Sequence, residues 1–166
     1  MQILSHQQII QKTRRMAYEI AEQNLEFEEI ILAGINKNGY RFAILLAEEI
    51  KKIKSHNCTI VRLNIKPSDP ISQPVSIELA PDRDLKNSCI VIVDDVANTG
   101  RTIFYGFKSL MDRIIGKVQV AVLVDRTHKK FPVHVNYIGL ALATTLKENI
   151  RLELTDPTNF HAMLEN

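Results

Sequence analysis

The 166-residue chain has no tryptophan, only two cysteines and six glycines, and no apolar run that approaches a membrane span. Each shortage excludes something. Cys58 and Cys89 both stand in apolar, strand-like runs without metal-ligand spacing, so they form neither a disulfide framework nor a zinc site. They read as buried, reduced thiols. The formal net charge of +2 is too mild to argue by itself for nucleic acid or an anionic membrane. There is no G-x-G-x-x-G, which removes the dinucleotide fingerprint. Gly34 and Gly39 have the spacing of a phosphate-binding P-loop, but Tyr40 and Arg41 follow where Lys and Ser or Thr are required. The opening "MQILSHQQII" lacks the basic and apolar regions of a secretory signal, so a cytoplasmic protein without membrane association is expected.

What remains is the composition of a soluble globular protein, 45% hydrophobic and 24% charged, expected to form a single domain over residues 1–166. Ser5 and Gln8 form a capping box, followed by a helical stripe of Ile9, Thr13, Met16, Ala17, Ile20 and Ala21 reaching about Asn24. "EIILAGI" (29–35) is a buried strand, "NKNG" a loop, and 40–53 a helix. A strand over 58–65 leads into "KPSDPISQP", whose three prolines make it an exposed loop, and 75–79 is a candidate returning strand. Strands follow at 89–94, 117–125, 135–142 and about 150–154. Between the first two lies a helix bearing Phe104, Phe107, Leu110, Met111 and Ile114, whose Phe and Met positions read as core. Strands alternating with helices predict an α/β fold with a mostly parallel, twisted sheet flanked by helices. Ligands bind such sheets at the carboxyl ends of the strands. Three polar loops leave those ends, at Asn36–Gly39, Asp94–Thr102 and Asp125–Lys130.

The central one is "CIVIVDDVANTGRT" (89–102), in which five apolar residues run into adjacent carboxylates. Two like charges at the mouth of a buried strand repel each other and resist desolvation, so stability alone does not explain them. A phosphoacceptor domain, with Asp125 as a third acidic group, leaves "NTGRT" unaccounted for. That segment, Ala97, Asn98, Thr99, Gly100, Arg101 and Thr102, supplies backbone N–H groups around a glycine, plus two hydroxyls, before a helix. It has the makings of a phosphate nest. Asp94 and Asp95 beside a bound phosphate suit the hydroxyls of a sugar joined to it. The matching ligand is a ribose 5-phosphate.

"VIVDDVANTGRT" closely resembles the phosphoribosyl-pyrophosphate motif of type I phosphoribosyltransferases, and the resemblance extends over most of the chain. "GINKNGYRFA" looks like the family's pyrophosphate loop, with Lys37 to Tyr40 similar to the hypoxanthine-guanine branch. "AVLVDRTHKKFPVHVNYIGLAL" is closer to the bifunctional pyrimidine-operon regulator and uracil phosphoribosyltransferase branch. The resemblance implies that Asp94 and Asp95 contact the ribose hydroxyls, that Ala97–Thr102 hold the 5-phosphate, and that Asn36, Lys37, Asn38 and Gly39 bind pyrophosphate. It places Asp125 and Arg126 near pyrophosphate or base, and Tyr137–Leu140 in a small hood built from about 134–166 and the N-terminal segment. Magnesium, riding on pyrophosphate and diol at Asp94 and Asp95, is the implied cofactor. Phosphoribosyl pyrophosphate and a nucleobase are the implied partners, uracil favoured over a 6-oxopurine, in an assembly of at least two copies.

Two features depart from the family. The closing loop, about 64–76, offers Lys66 as its only cation and no aromatic, and Leu140 follows Gly139 where the regulator branch tends to have lysine. The alternative reading is an RNA-binding regulator or nucleotide sensor using Thr13, Arg14, Arg15 and the Arg126–Lys130 cluster. By default Arg14 and Arg15 form the wet face of a helix. Lys37 stays open between a plain loop lysine and a pyrophosphate contact, and His128 has no partner in sequence.

Overall fold

A computed structural model describes residues 1–54, 56–143 and 148–165. The main sheet contains β2 (Glu29–Ile35), β3 (Asn57–Asn64), β4 (Ser76–Ile77), β5 (Leu85–Ala97), β6 (Ile115–Arg126) and β7 (Tyr137–Leu142). Its spatial order is β4-β3-β2-β5-β6-β7, parallel throughout except for the antiparallel β3–β4 pair. A second, antiparallel sheet has the order β1-β9-β8 and joins β1 (Gln2–Leu4) to β8 (Asn149–Glu153) and β9 (His161–Glu165). The fold is thus α/β, as expected.

Alternation along the central strands makes two cores. Ile30, Leu32, Val91, Val93, Ala121 and Leu123 face α1 (His6–Glu22) and α2 (Asn36–Ile53). Leu4, Leu152 and Ala162 of the second sheet join the same cluster, together with Leu154 and Phe160 from the segment between β8 and β9. Ile31, Ala33, Ile90, Ile92 and Val122 face the other way, towards Ile103 of α3 (Arg101–Gly106) and Leu110. The central strands are buried on both faces because helices and irregular segments cover both, which is why they read as continuous apolar runs. The Ser5–Gln8 capping box is present in both directions, with the Ser5 N–H donating to Gln8 at 2.8 Å.

Several elements differ from the sequence reading. β5 begins four residues early and runs past both aspartates, so Asp94 and Asp95 lie within the paired strand. The expected loop 36–39 is the first turn of α2, entered through Asn36 at φ +50°. β7 belongs to the main sheet, and the second sheet resumes only at Asn149. The helix expected to carry a core stripe as far as Ile114 ends at Gly106 and tightens into a 3₁₀ turn over Phe107–Leu110. Three residues per turn rotate the stripe off the core. Met111 and Ile114 are therefore 73% and 75% exposed, and Phe104 within α3 is 38% exposed, which corrects the reading of Phe104 and Met111 as core. Cys89 is buried and Cys58 half-buried, both free, and burial pushes their thiols up to about 12 and about 11 respectively. No helix among the described residues is long and apolar enough to cross a membrane.

One close approach positions the site. Gly39 of α2 lies against β5 where a Cβ would stand 2.6 Å from the Val93 carbonyl oxygen and 3.3 Å from the Asp94 Cα. Gly39→Ala forces these backbones apart, and overpacking of this kind costs about 1–3 kcal/mol. A urea unfolding curve is expected to show the lowered midpoint at unchanged slope.

Candidate active site

The carboxyl ends of β2 and β5 open onto two contiguous cavities. The smaller, about 170 Å³, is enclosed by Val96 to Ile103 with Asp94 at its floor. The larger, about 520 Å³, is a cleft bounded by Asn36, Lys37 and Asn38 on one side and by Asp94, Asp95, Asn98 and Thr102 on the other. Asp94 belongs to both. Gly100 gives the smaller cavity its shape: at φ +83° it adopts a backbone that other residues rarely take, and it turns the chain from β5 into α3.

The two aspartates are held differently. Asp94 is 7% exposed, and its Oδ1 accepts the Asp95 N–H at 2.9 Å. Burial, followed by the adjacent charge of Asp95, pushes its carboxyl well above the usual carboxylate range. Asp95 is half-buried and turns towards α2, where Asn38 Nδ2 donates to its Oδ2 at 2.9 Å; its Oδ1 accepts the Val96 N–H at the same distance. The pair thus retains exposed carboxylate edges towards a cleft large enough for a sugar.

The surrounding loops brace one another. Asn36 Nδ2 donates to the Ile65 carbonyl and Asn36 Oδ1 accepts the Ile65 N–H, each at 2.9 Å, so its side chain is a tether rather than a ligand arm. Arg126 Nη1 donates to Asn98 Oδ1 at 3.0 Å. The Thr99 carbonyl accepts from the Lys130 and Phe131 N–H groups at 2.9 and 3.1 Å. Lys129 closes onto Asp125 and the Arg126 carbonyl. A third cavity, lined by Asn98, Thr99, Arg126, His128, Lys129 and Lys130, opens beside the nest.

Most residues singled out from sequence therefore line these cavities, but Gly39, Asp125, Tyr137 and Leu140 do not. Gly39 packs on β5 and the Asp125 carboxylate is taken by Lys129. Tyr137, expected in a hood over the base, is 1% exposed, and its hydroxyl donates to Gln119 Oε1 at 2.8 Å and accepts from Asn24 Nδ2 at 3.2 Å. It is a core residue because its hydroxyl completes a buried polar cluster. Leu140 is half-buried against the core on the α1 side rather than lining either cavity. Pro67 of the expected closing loop also lines the cleft, and Ile150, which carried no signal in the sequence, reaches it from the second sheet. The residues assigned to an RNA surface are largely engaged. Thr13 is buried and donates to the Ile9 carbonyl, Arg14 pairs with Glu49, and Arg15 binds Glu19 and the edge carbonyls of Ile138 and Gly139.

This fold, with adjacent strand-end carboxylates beside a glycine-turned loop, is that of a type I phosphoribosyltransferase. Residues 1–150 match the phosphoribosyl transferase domain, and the chain belongs to that family. It is 34% identical over 148 residues to the bifunctional protein PyrR of Streptococcus pneumoniae, spanning 86% of this chain and 83% of that protein. Solved structures share the fold at lower identity. A Staphylococcus aureus hypoxanthine phosphoribosyltransferase superposes with TM-score 0.71 at 17% identity, covering 88% of this chain and 80% of that one. The Trypanosoma cruzi hypoxanthine phosphoribosyltransferase gives 0.73 at 13% identity, covering 97% and 94%.

Because folding raises the Asp94 carboxyl above its unfolded value, the folded chain binds the proton more tightly than the unfolded one. Stability contributed by this group is therefore greatest in acid and falls as pH rises from the ordinary aspartate range towards the raised value. Asp94→Asn is nearly isosteric and keeps an acceptor for the Asp95 N–H, while removing the charge. The variant is expected to melt higher than wild type at neutral pH, with the difference vanishing below the ordinary carboxylate range, and to lose sugar-phosphate binding. Paired thermal melts from acid to neutral pH read the sign.

Proposed function

We propose that this chain binds phosphoribosyl pyrophosphate with magnesium and transfers the phosphoribosyl group to a nucleobase, releasing pyrophosphate. The observation that carries the reading is the pair of contiguous cavities sharing Asp94: a small pocket enclosed by the turn from Val96 to Ile103 lies beside a cleft lined by both carboxylates. The 5-phosphate fits the nest at Ala97–Thr102. The ribose hydroxyls then meet Asp94 and Asp95, which accept their protons in hydrogen bonds and fix the ring. Lys37, Asn38 and the backbone of the α2 first turn face the same cleft from the opposite side, placed to hold the pyrophosphate.

The donor set suits a hard cation that brings most of its own ligands. Among the described residues there is no cluster of three or more His, Cys, Asp or Glu groups, and the cleft offers two carboxylates beside the place for substrate oxygens. Magnesium bound there, with Asp94 and Asp95 as its protein contacts, would neutralise the departing pyrophosphate. The chain's own residues orient the sugar so that its anomeric carbon faces the incoming ring nitrogen, and the transition state is oxocarbenium-like. Arg126 donates to Asn98 and lines the cavity beside the nest, in keeping with the contact to pyrophosphate or base that the resemblance implies. Similarity to the pyrimidine branch from Ala121 to Leu140 supports uracil as the acceptor, and the shared fold of hypoxanthine enzymes keeps 6-oxopurines as the next choice.

Protein, magnesium and phosphoribosyl pyrophosphate are combined with uracil, hypoxanthine, guanine, xanthine or adenine, and monophosphates are followed by chromatography. Uridine monophosphate is the expected product. Asp95→Ala removes one hydroxyl contact and the Asn38 partner, and charged hydrogen bonds of this kind are worth about 1.5–3 kcal/mol, so kcat/KM falls at least about tenfold. Magnesium-dependent binding without product from any base identifies a nucleotide sensor, in keeping with a closing loop whose one cation is Lys66. No binding at all overturns the proposal.

A further inference from the structure

Arg101 is the one residue of the nest whose side chain reaches across to the proline-rich segment. Its Nε donates to the Pro67 carbonyl at 2.9 Å, and its guanidinium lies 5.4 Å from the Tyr105 ring centroid and 5.8 Å from that of Phe131. The two rings restrict its orientation, so the hydrogen bond forms with little further loss of side-chain freedom. On the other flank, Asn36 grips the Ile65 backbone through two hydrogen bonds. The root of the segment, Ile65–Pro67, is thus strapped to both of the loops that border the cleft. Beyond the root the segment is self-contained: Asp69 N–H donates to the Lys66 carbonyl, Ser72 N–H to Asp69 Oδ1, and Gln73 N–H to the Asp69 carbonyl.

We infer that Arg101 is a positioning residue that couples occupancy of the nest to the proline-rich segment. This rests on the reading of Ala97–Thr102 as the 5-phosphate site. A phosphate drawn in by the nest amides fixes the Arg101 backbone. Its side chain, sandwiched near two rings and bonded to Pro67, carries that constraint to a segment that itself borders the cleft through Pro67. The side chain therefore does not serve mainly as a phosphate ligand. It sets where the segment stands when the sugar phosphate is present, and a loop with one cation and three prolines is steered by its root rather than by contacts at its tip.

Amide hydrogen exchange over residues 65–79 tests this in wild type, Arg101→Ala and Arg101→Lys, each with and without saturating ribose 5-phosphate. In unliganded Arg101→Ala the Asp69, Ser72 and Gln73 amides are expected to exchange about fivefold faster than in wild type, the scale of one partly exposed hydrogen bond. Ribose 5-phosphate is expected to protect those amides in wild type and not in Arg101→Ala, while still protecting Gly100 and Thr102 in both. Arg101→Lys, which keeps a donor but no planar face for the rings, falls between them. Equal exchange in all three proteins, or full ligand protection of 69–73 in Arg101→Ala, overturns the inference. Absence of protection at Gly100 and Thr102 in wild type overturns the phosphate site and the coupling with it, and the unliganded comparison then decides the strap alone.

Discussion

The contact between Asp94 and Asp95 is the constraint from which the rest of the site follows. A carboxylate 7% exposed at the end of an apolar strand has given up most of its hydration, and its neighbour carries the same charge. The surrounding chain compensates only in part. One backbone N–H serves each carboxylate, and a single side-chain amide, from Asn38, serves Asp95. The remaining acceptor capacity points at a cleft. Stability alone gives no reason to keep such a pair, because replacing a buried, imperfectly satisfied charge by a neutral isostere tends to stabilise a fold. Under the proposed function a polyhydroxylated ligand would supply the missing donors, and the pair would be costly only while the cleft lacks them.

Holding that pair in register requires rigid neighbours. Gly39 lets α2 approach β5 closely enough for Asn38 to reach Asp95, and any side chain at this position would separate the two elements. The opposite wall is fixed through the Thr99 carbonyl and through Arg126 on Asn98, which tie the nest to the loop after β6. These are hydrogen bonds between loops rather than within them. The geometry at the mouth of the sheet is therefore a property of three strand ends together, and displacement of one disturbs the other two. Preorganisation of this kind is how a fixed scaffold presents a ligand site without ordering costs at the moment of binding.

Much of this was legible in the residues. Buried parallel strands write themselves as apolar runs, and "DDVANTGRT" combines a charge pair, a glycine turn and hydroxyls that the fold does bring together at one strand end. What escaped was set by contacts between distant parts of the chain. Periodicity carried the third helix to Ile114, but the shift to a 3₁₀ turn after Gly106 left Met111 and Ile114 in solvent. β1 and β9 are short, and they exist because Gln2–Leu4 pairs with a segment some 160 residues away, which no local pattern announces. Tyr137 stands in the right strand for a base contact, yet its hydroxyl is claimed by Gln119 and Asn24 from elements far apart in sequence. Ile150 reaches the cleft for the converse reason, as an apolar residue delivered by the second sheet.

The second sheet also bears on how the family's chemistry has been adapted in this chain. Its Leu4, Leu152 and Ala162 share the core of α1 and α2, so it is anchored to the same face of the main sheet that carries Asn38 and the first turn of α2. The nest and α3 belong to the opposite face. A sugar phosphate in the two cavities would therefore touch both halves of the molecule, with its phosphate on the α3 side and its leaving group on the α2 side. The strand end that bears Asp94 and Asp95 is the element common to both. The aspartates sit where binding from either side converges, which is the one position from which a buried charge pair can report on, and be relieved by, the whole ligand.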